Sequence, residues 1–188
     1  MKKNLIILGV IVVVIAGFLI SKYNSMVTLN EKVDAKFSDI DTQLQRRADL
    51  IPNLVSAVQG YMDHEQAAIE KVTDARTKLV NASSVAEKAE ADSALTSALN
   101  GFLALAENYP DLKASENFTN LTDELAGTEN RIATARRDYN SVVEDFNKTI
   151  KSFPNNLLAG MFGFSEKEYF KAEEGASEAP AVQFNTAN

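Results

Sequence analysis

Apolar residues fall in two patterns along this chain, an unbroken run and a long periodic stretch. The run is Leu5–Ile20, sixteen residues without a polar side chain. As a helix it spans roughly 24 Å, slightly less than a hydrocarbon core of roughly 30 Å. Lys22 can extend that reach by snorkelling, and Tyr23 by sitting at headgroup level. Lys2 and Lys3 ahead of the run would also suit a cleaved signal. No small-x-small cleavage site follows, however, and no Cys is present to carry a lipid. The run is therefore expected to stay as a single transmembrane helix, with 1–22 as the anchor. Lys2 and Lys3 predict a cytoplasmic N-terminus and the remainder on the extracytoplasmic side of the cell membrane. Lys22, Lys32 and Lys36 on the other flank weaken that bias.

Beyond the anchor, apolar residues recur at alternating three- and four-residue spacing. One series is Met26, Val33, Phe37, Ile40, Leu44, Ile51, Leu54, Val58, Tyr61, Ala68, Val72, Ala75 and Leu79, interrupted only by Asn30, Arg47 and Glu65. A second passes through Ala114, Phe118, Leu121, Leu125, Thr128, Ile132, Ala135, Tyr139, Val142, Phe146, Thr149 and Phe153, and a shorter one joins Leu95, Leu99, Phe102, Ala106 and Tyr109. No stretch alternates with period two. The pattern predicts an all-α protein, its long coiled-coil-like helices packed at shallow angles.

Ser84 and Glu87 make a capping box that opens one helix, which Pro110 closes. Ser115 is positioned to cap the next, which must stop before Pro154. Pro52 admits two readings. Asp49 could cap a new helix with Pro52 in its first turn, or a kinked helix could run through, since the heptad phase continues. The break is favoured, because segments 24–49, 51–80, 84–108 and 115–153 then make an antiparallel up-and-down four-helix bundle with short connections. The expected organisation is an anchor (1–22), a bundle (23–171) and a disordered tail (172–188), whose Val182 and Phe184 are isolated apolar residues.

After Pro154, the residues Leu157, Leu158, Met161, Phe162 and Phe164 crowd five large apolar side chains into a stretch too short to span a bilayer. A short helix plugging the bundle end is the simpler account. An interfacial or partner-docking segment is the functional one.

Composition narrows the chemistry. The chain has 26 acidic and 19 basic residues, a net charge of −7, which disfavours phosphate backbones and so excludes nucleic acid as a partner. It has no Cys, which removes disulfides, thiolate catalysis and thiolate metal sites. His64 is the single histidine, and Ala68 stands where a zinc-binding helix needs a second one. It reads as a helix-surface histidine beside Glu65. No phosphate-binding glycine loop is present. No catalytic residue, metal ligand or cofactor site is expected. The polar residues that stand out are Arg46, Arg47 and Asp49, with Glu129, Arg136 and Arg137 as a second group. Arg47 sits on the seam, where a charge requires a partner. Ion pairs at three- and four-residue spacing are one explanation, and a polar network between helices is the other.

Several of these stretches resemble the LemA family. They are Gln-Leu-Gln-Arg-Arg at 43–47, Asp-Leu-Ile-Pro-Asn-Leu-Val at 49–55, Gly-Tyr at 60–61, His-Glu at 64–65 and Ala-Arg at 75–76. They continue with Gly-Thr-Glu-Asn-Arg-Ile at 127–132, Ala-Arg-Arg-Asp-Tyr-Asn at 135–140, Phe-Pro-Asn-Asn at 153–156, Met-Phe-Gly-Phe at 161–164 and Ala-Pro-Ala-Val-Gln-Phe at 179–184. Ala48 departs from the pattern, standing where a Tyr is common. The resemblance covers most of the chain and implies a bacterial membrane-anchored four-helix bundle; it implies no agreed activity. Two functions fit: a non-enzymatic scaffold that forms homo-oligomers, or an accessory subunit of another membrane protein such as a quality-control protease.

Overall fold

The computed structural model describes residues 2–62 and 65–171, so His64 and the tail from 172 lie outside the described residues. All regular structure among the described residues is helical. In chain order the helices are α1 (Lys2–Val58), α2 (Gln66–Asn81), α3 (Val85–Ala106), α4 (Pro110–Lys113), α5 (Glu116–Lys151) and α6 (Asn155–Phe162). They fall into two compact units, one from 2–47 and 124–169, the other from 48–123 and 170–171.

The first unit pairs α1 with the C-terminal part of α5. Arg47 meets Glu129, and Phe37 meets Tyr139. Numbers rise on one helix as they fall on the other, so the pair is antiparallel. The seam buries Met26, Val33, Ile40 and Leu44 of α1 against Leu125, Ile132, Tyr139, Val143, Phe146 and Ile150 of α5. Here the expected α5 series is corrected. Val143 and Ile150 are buried in place of Val142 and Thr149, and Phe153 is 81% exposed. A helix of 3.6 residues per turn drifts against a strict heptad, so the next apolar position takes over the seam.

After α6 the chain turns back. Gly163 adopts a φ of 76°, a left-handed conformation that suits glycine, and Phe164 N–H bonds Ala159 C=O at 2.9 Å. The extended segment that follows runs back along α5. Lys151 pairs with Glu166 at 2.7 Å, and the Asn147 amide makes two bonds to the Lys167 backbone, at 2.8 and 2.9 Å. Further along, the Tyr139 hydroxyl donates to Glu168 C=O at 2.8 Å.

The second unit gathers 48–58 of α1, then α2, α3, α4 and the first turns of α5. Helices α2 and α3 pack on each other across the short 82–84 connection. Their facing residues are Ile69, Val72, Ala75 and Leu79, and Leu95, Leu99, Phe102 and Ala106. Ile69 replaces the expected Ala68, because α2 begins its own phase at Gln66. The expected capping box at Ser84 and Glu87 is present.

Pro52 is where expectation and structure part. Helix α1 passes through it and ends at Val58. The break opens at Gln59 and Gly60, ahead of α2, and not near residue 50, so the expected segments 24–49 and 51–80 do not form. Proline has no N–H, so the carbonyl four residues before it, Ala48 C=O, loses its helical donor. The Arg76 side chain of α2 replaces it, with Nε donating to Ala48 C=O at 2.8 Å. Ala48 is fully buried, so water cannot serve that carbonyl instead. Arg76→Ala is expected to cost about 1–3 kcal/mol, the penalty of an unsatisfied buried carbonyl. In a Pro52→Ala background, which restores the helical N–H, the same change should cost much less. Equal losses in both backgrounds, read by denaturant unfolding, would refute this account.

Candidate functional site

Among the described residues, polar and apolar features concentrate in the first unit. The polar one is a cross-helix cluster. Arg46 of α1 pairs with Glu124 of α5, which also faces Arg131 at 3.7 Å. Arg47, only 4% exposed, pairs with Glu129 at 2.6 Å. The predicted Arg46, Arg47 and Glu129 are therefore brought together, and by contacts between helices, not along one. Glu124 and Arg131 are members that sequence reasoning did not single out. The other predicted members stand apart. Arg137 bonds within its own helix, to Ala133 C=O at 3.3 Å and Thr134 Oγ1 at 3.2 Å. Arg136 is half-buried, and Asp49 is exposed and belongs to the second unit.

Next to Phe37 in the chain, Lys36 bridges Asp39 at 3.0 Å and Asp138 at 3.5 Å. The hydrogen bond and charge of Asp39 raise its pKa. A cavity of about 400 Å³ beside it is lined by Asp39, Gln43, Asn130, Arg131, Thr134 and Asp138. In the second unit, a cavity of about 480 Å³ lies at the α2–α3 connection. Its Glu87 carboxylate accepts from the Ser83 and Ser84 backbone N–H groups, which pull its pKa down to about 2. An acid held ionised in this way serves as a cap and cannot donate a proton near neutrality. Among the described residues no three acidic or histidine side chains cluster as a metal site.

Tyr139 is buried, and its pKa is pushed up to about 12, first by desolvation and then by the charges of Asp34 and Glu168. The raised value means that the folded state holds the neutral phenol. That stability is complete below the unfolded pKa near 10 and is lost as pH rises through 12. Melting temperature should accordingly fall between pH 10 and 12, and Tyr139→Phe should flatten the fall.

The apolar feature is α6 and its surroundings. Leu158 and Ala159 are buried in the unit. The Phe162 ring sits 4.9 Å from Tyr23, edge to face, and Phe164 lies 6.0 Å from Tyr23 and 6.3 Å from Phe146. Leu157 and Met161 face outward, 61% and 77% exposed. The five predicted interaction residues thus divide between a plug and an open surface. A cavity of about 350 Å³ lies between Phe162 of α6 and Leu19, Ile20 and Tyr23 of α1. Above it, the run Leu5–Ile20 leaves its large side chains, the half-buried Leu19 excepted, between 47% (Phe18) and 71% (Val13) exposed. It lies in the one helix among the described residues that is long and apolar enough to cross a membrane. Asn147 and its clamp on Lys167 were not legible in the sequence, because a side chain bonding to backbone leaves no periodic mark.

The profile of the LemA family matches residues 36–184. Magnetosome protein MamQ 2 of Paramagnetospirillum magneticum is 29% identical over 91% of this chain and 72% of its own. Magnetosome protein MamQ of Magnetospirillum gryphiswaldense is 26% identical over 87% and 70%. Protein LemA of Metamycoplasma hominis is 28% identical over 82% and 71%.

Proposed function

The chain belongs to the LemA family, and from that membership and its helical geometry we propose that it is a non-enzymatic scaffold, anchored once in the bacterial cell membrane and self-associating there. One observation carries the reading: α1 runs without interruption from the exposed apolar segment into the buried α1–α5 seam. An anchor continuous with a packed helix is a stiff mount, fixing what the first unit presents at a set distance from the bilayer. The exposed anchor is also the surface offered to a second copy within the lipid, where helices associate by packing and not by hydrophobic burial.

Extraction of the full chain in mild detergent, followed by native mass measurement, tests this. A homogeneous homomer is expected. A monomer overturns self-association, and a stoichiometric foreign enzyme would make the chain an accessory subunit instead.

The proposed orientation places Lys2 and Lys3 in the cytoplasm and the helical units outside. A reporter fused after Asn188 should be active only when exported. Activity in the cytoplasm would reverse that assignment.

A further inference from the structure

We propose that α6, together with Phe153, is seated in the bilayer surface as an apolar collar around the point where α1 leaves the membrane. The inference rests on the anchor reading above and adds a second, non-spanning contact with lipid.

Register sets the level. Arg47 lies across from Glu129 and Phe37 across from Tyr139, and both helices rise about 1.5 Å per residue. Continuing that antiparallel register to the end of α5 brings Lys151 level with Ser25, five residues beyond Ile20, where the apolar run stops, and Phe153 follows two residues later. The ring contacts of Tyr23 with Phe162 and Phe164 hold α6 at the same level.

Exposure shows what the collar offers. Phe153 is 81% exposed, Leu157 61%, Met161 77% and Phe162 42%. Leu157 and Met161 stand four residues apart, so they form one stripe, with Leu158 and Ala159 buried beside it. Helix α6 carries no charged residue. Two cations stand near that level, Lys22 with its ammonium 5.5 Å from the Phe18 ring and Lys151 paired with Glu166.

The short anchor fits the same picture. A run of roughly 24 Å in a core of roughly 30 Å draws the bilayer surface toward Lys22 and Tyr23, the level at which α6 sits. Apolar side chains held there would reach about 5–10 Å into the headgroup boundary. A second copy could also cover such a surface. Continuity with the anchor, which fixes these residues at membrane depth, selects the lipid.

The chain has no Trp, so a single introduced one reports alone. Four full-length variants would be reconstituted in phosphatidylcholine–phosphatidylglycerol vesicles: Leu157→Trp, Met161→Trp, Val14→Trp within the anchor, and Asn130→Trp at an exposed position of α5. Quenching would be measured with lipids brominated near the headgroup or near the chain end. Leu157→Trp and Met161→Trp should emit to the blue and lose about half their emission to the shallow quencher, less to the deep one. Asn130→Trp should be quenched by neither, and Val14→Trp most by the deep one. If Val14→Trp escapes both quenchers, the anchor reading itself fails and the collar with it. If Val14→Trp is quenched while both α6 probes escape, the collar alone is overturned. In that case blue emission that reddens on dilution of protein in lipid identifies a second copy as the occupant, and red emission at all dilutions identifies water.

Discussion

Phe146→Ala is expected to lower stability by about 3–5 kcal/mol, the largest loss from any single truncation in the first unit. Phe146 is fully buried in the α1–α5 seam, and its ring meets Phe164 at 6.3 Å and 71°. Truncation therefore opens a cavity between the long helices and also removes a partner of the segment that returns from α6. Leu125→Ala, at 5% exposure, should cost about 2–5 kcal/mol for the cavity alone. Phe37→Ala should cost less than either, because Phe37 is only half-buried, its ring 5.7 Å from that of Tyr139. For a chain of this size the Phe146 loss corresponds to a fall in melting temperature of about 6–20 °C, read by circular dichroism of the detergent-solubilised protein. If Phe37→Ala destabilises more than Phe146→Ala, the seam has been assigned to the wrong face.

The second large effect comes from Glu129→Ala, expected to cost about 3 kcal/mol. The reason is asymmetric. The Arg47 side chain is 4% exposed, whereas Glu129 is 47% exposed. Removing the carboxylate leaves a guanidinium in a low-dielectric seam without its 2.6 Å partner, and desolvated charge is costly. Removing the arginine instead leaves a carboxylate that water can reach. Arg47→Met, which keeps the apolar stem in the seam, should therefore be nearly neutral, and Arg47→Met with Glu129→Ala should recover most of the single Glu129 loss. A neutral Glu129→Ala would mean that the pair sets no part of the α1–α5 register.

The all-helical class, the apolar anchor, the Ser84–Glu87 capping box and the inward residues of α3 and most of α1 and α2 were legible in the chain because each depends on neighbours three or four residues away. Periodicity and caps are local properties, and a local reading captures them. Tertiary structure decided what depends on distant partners. Pro52 looked like a helix boundary, because the group that satisfies the orphaned Ala48 carbonyl belongs to Arg76, 28 residues away. Gly60, which lies in the actual break, carried no stronger local signal than the proline. The arginine pairs were visible, but the choice of Glu124 and Glu129 over neighbours on the same helix followed from the antiparallel register of α1 and α5. The course of the segment beyond Gly163 was set in the same way, by the buried Asn147 amide reaching the Lys167 backbone across 20 residues. The division of Leu157–Phe164 into a buried and an exposed face likewise required Tyr23 to be in place. A burst of apolar residues says that surface must be covered, and only the fold shows which side chains it covers.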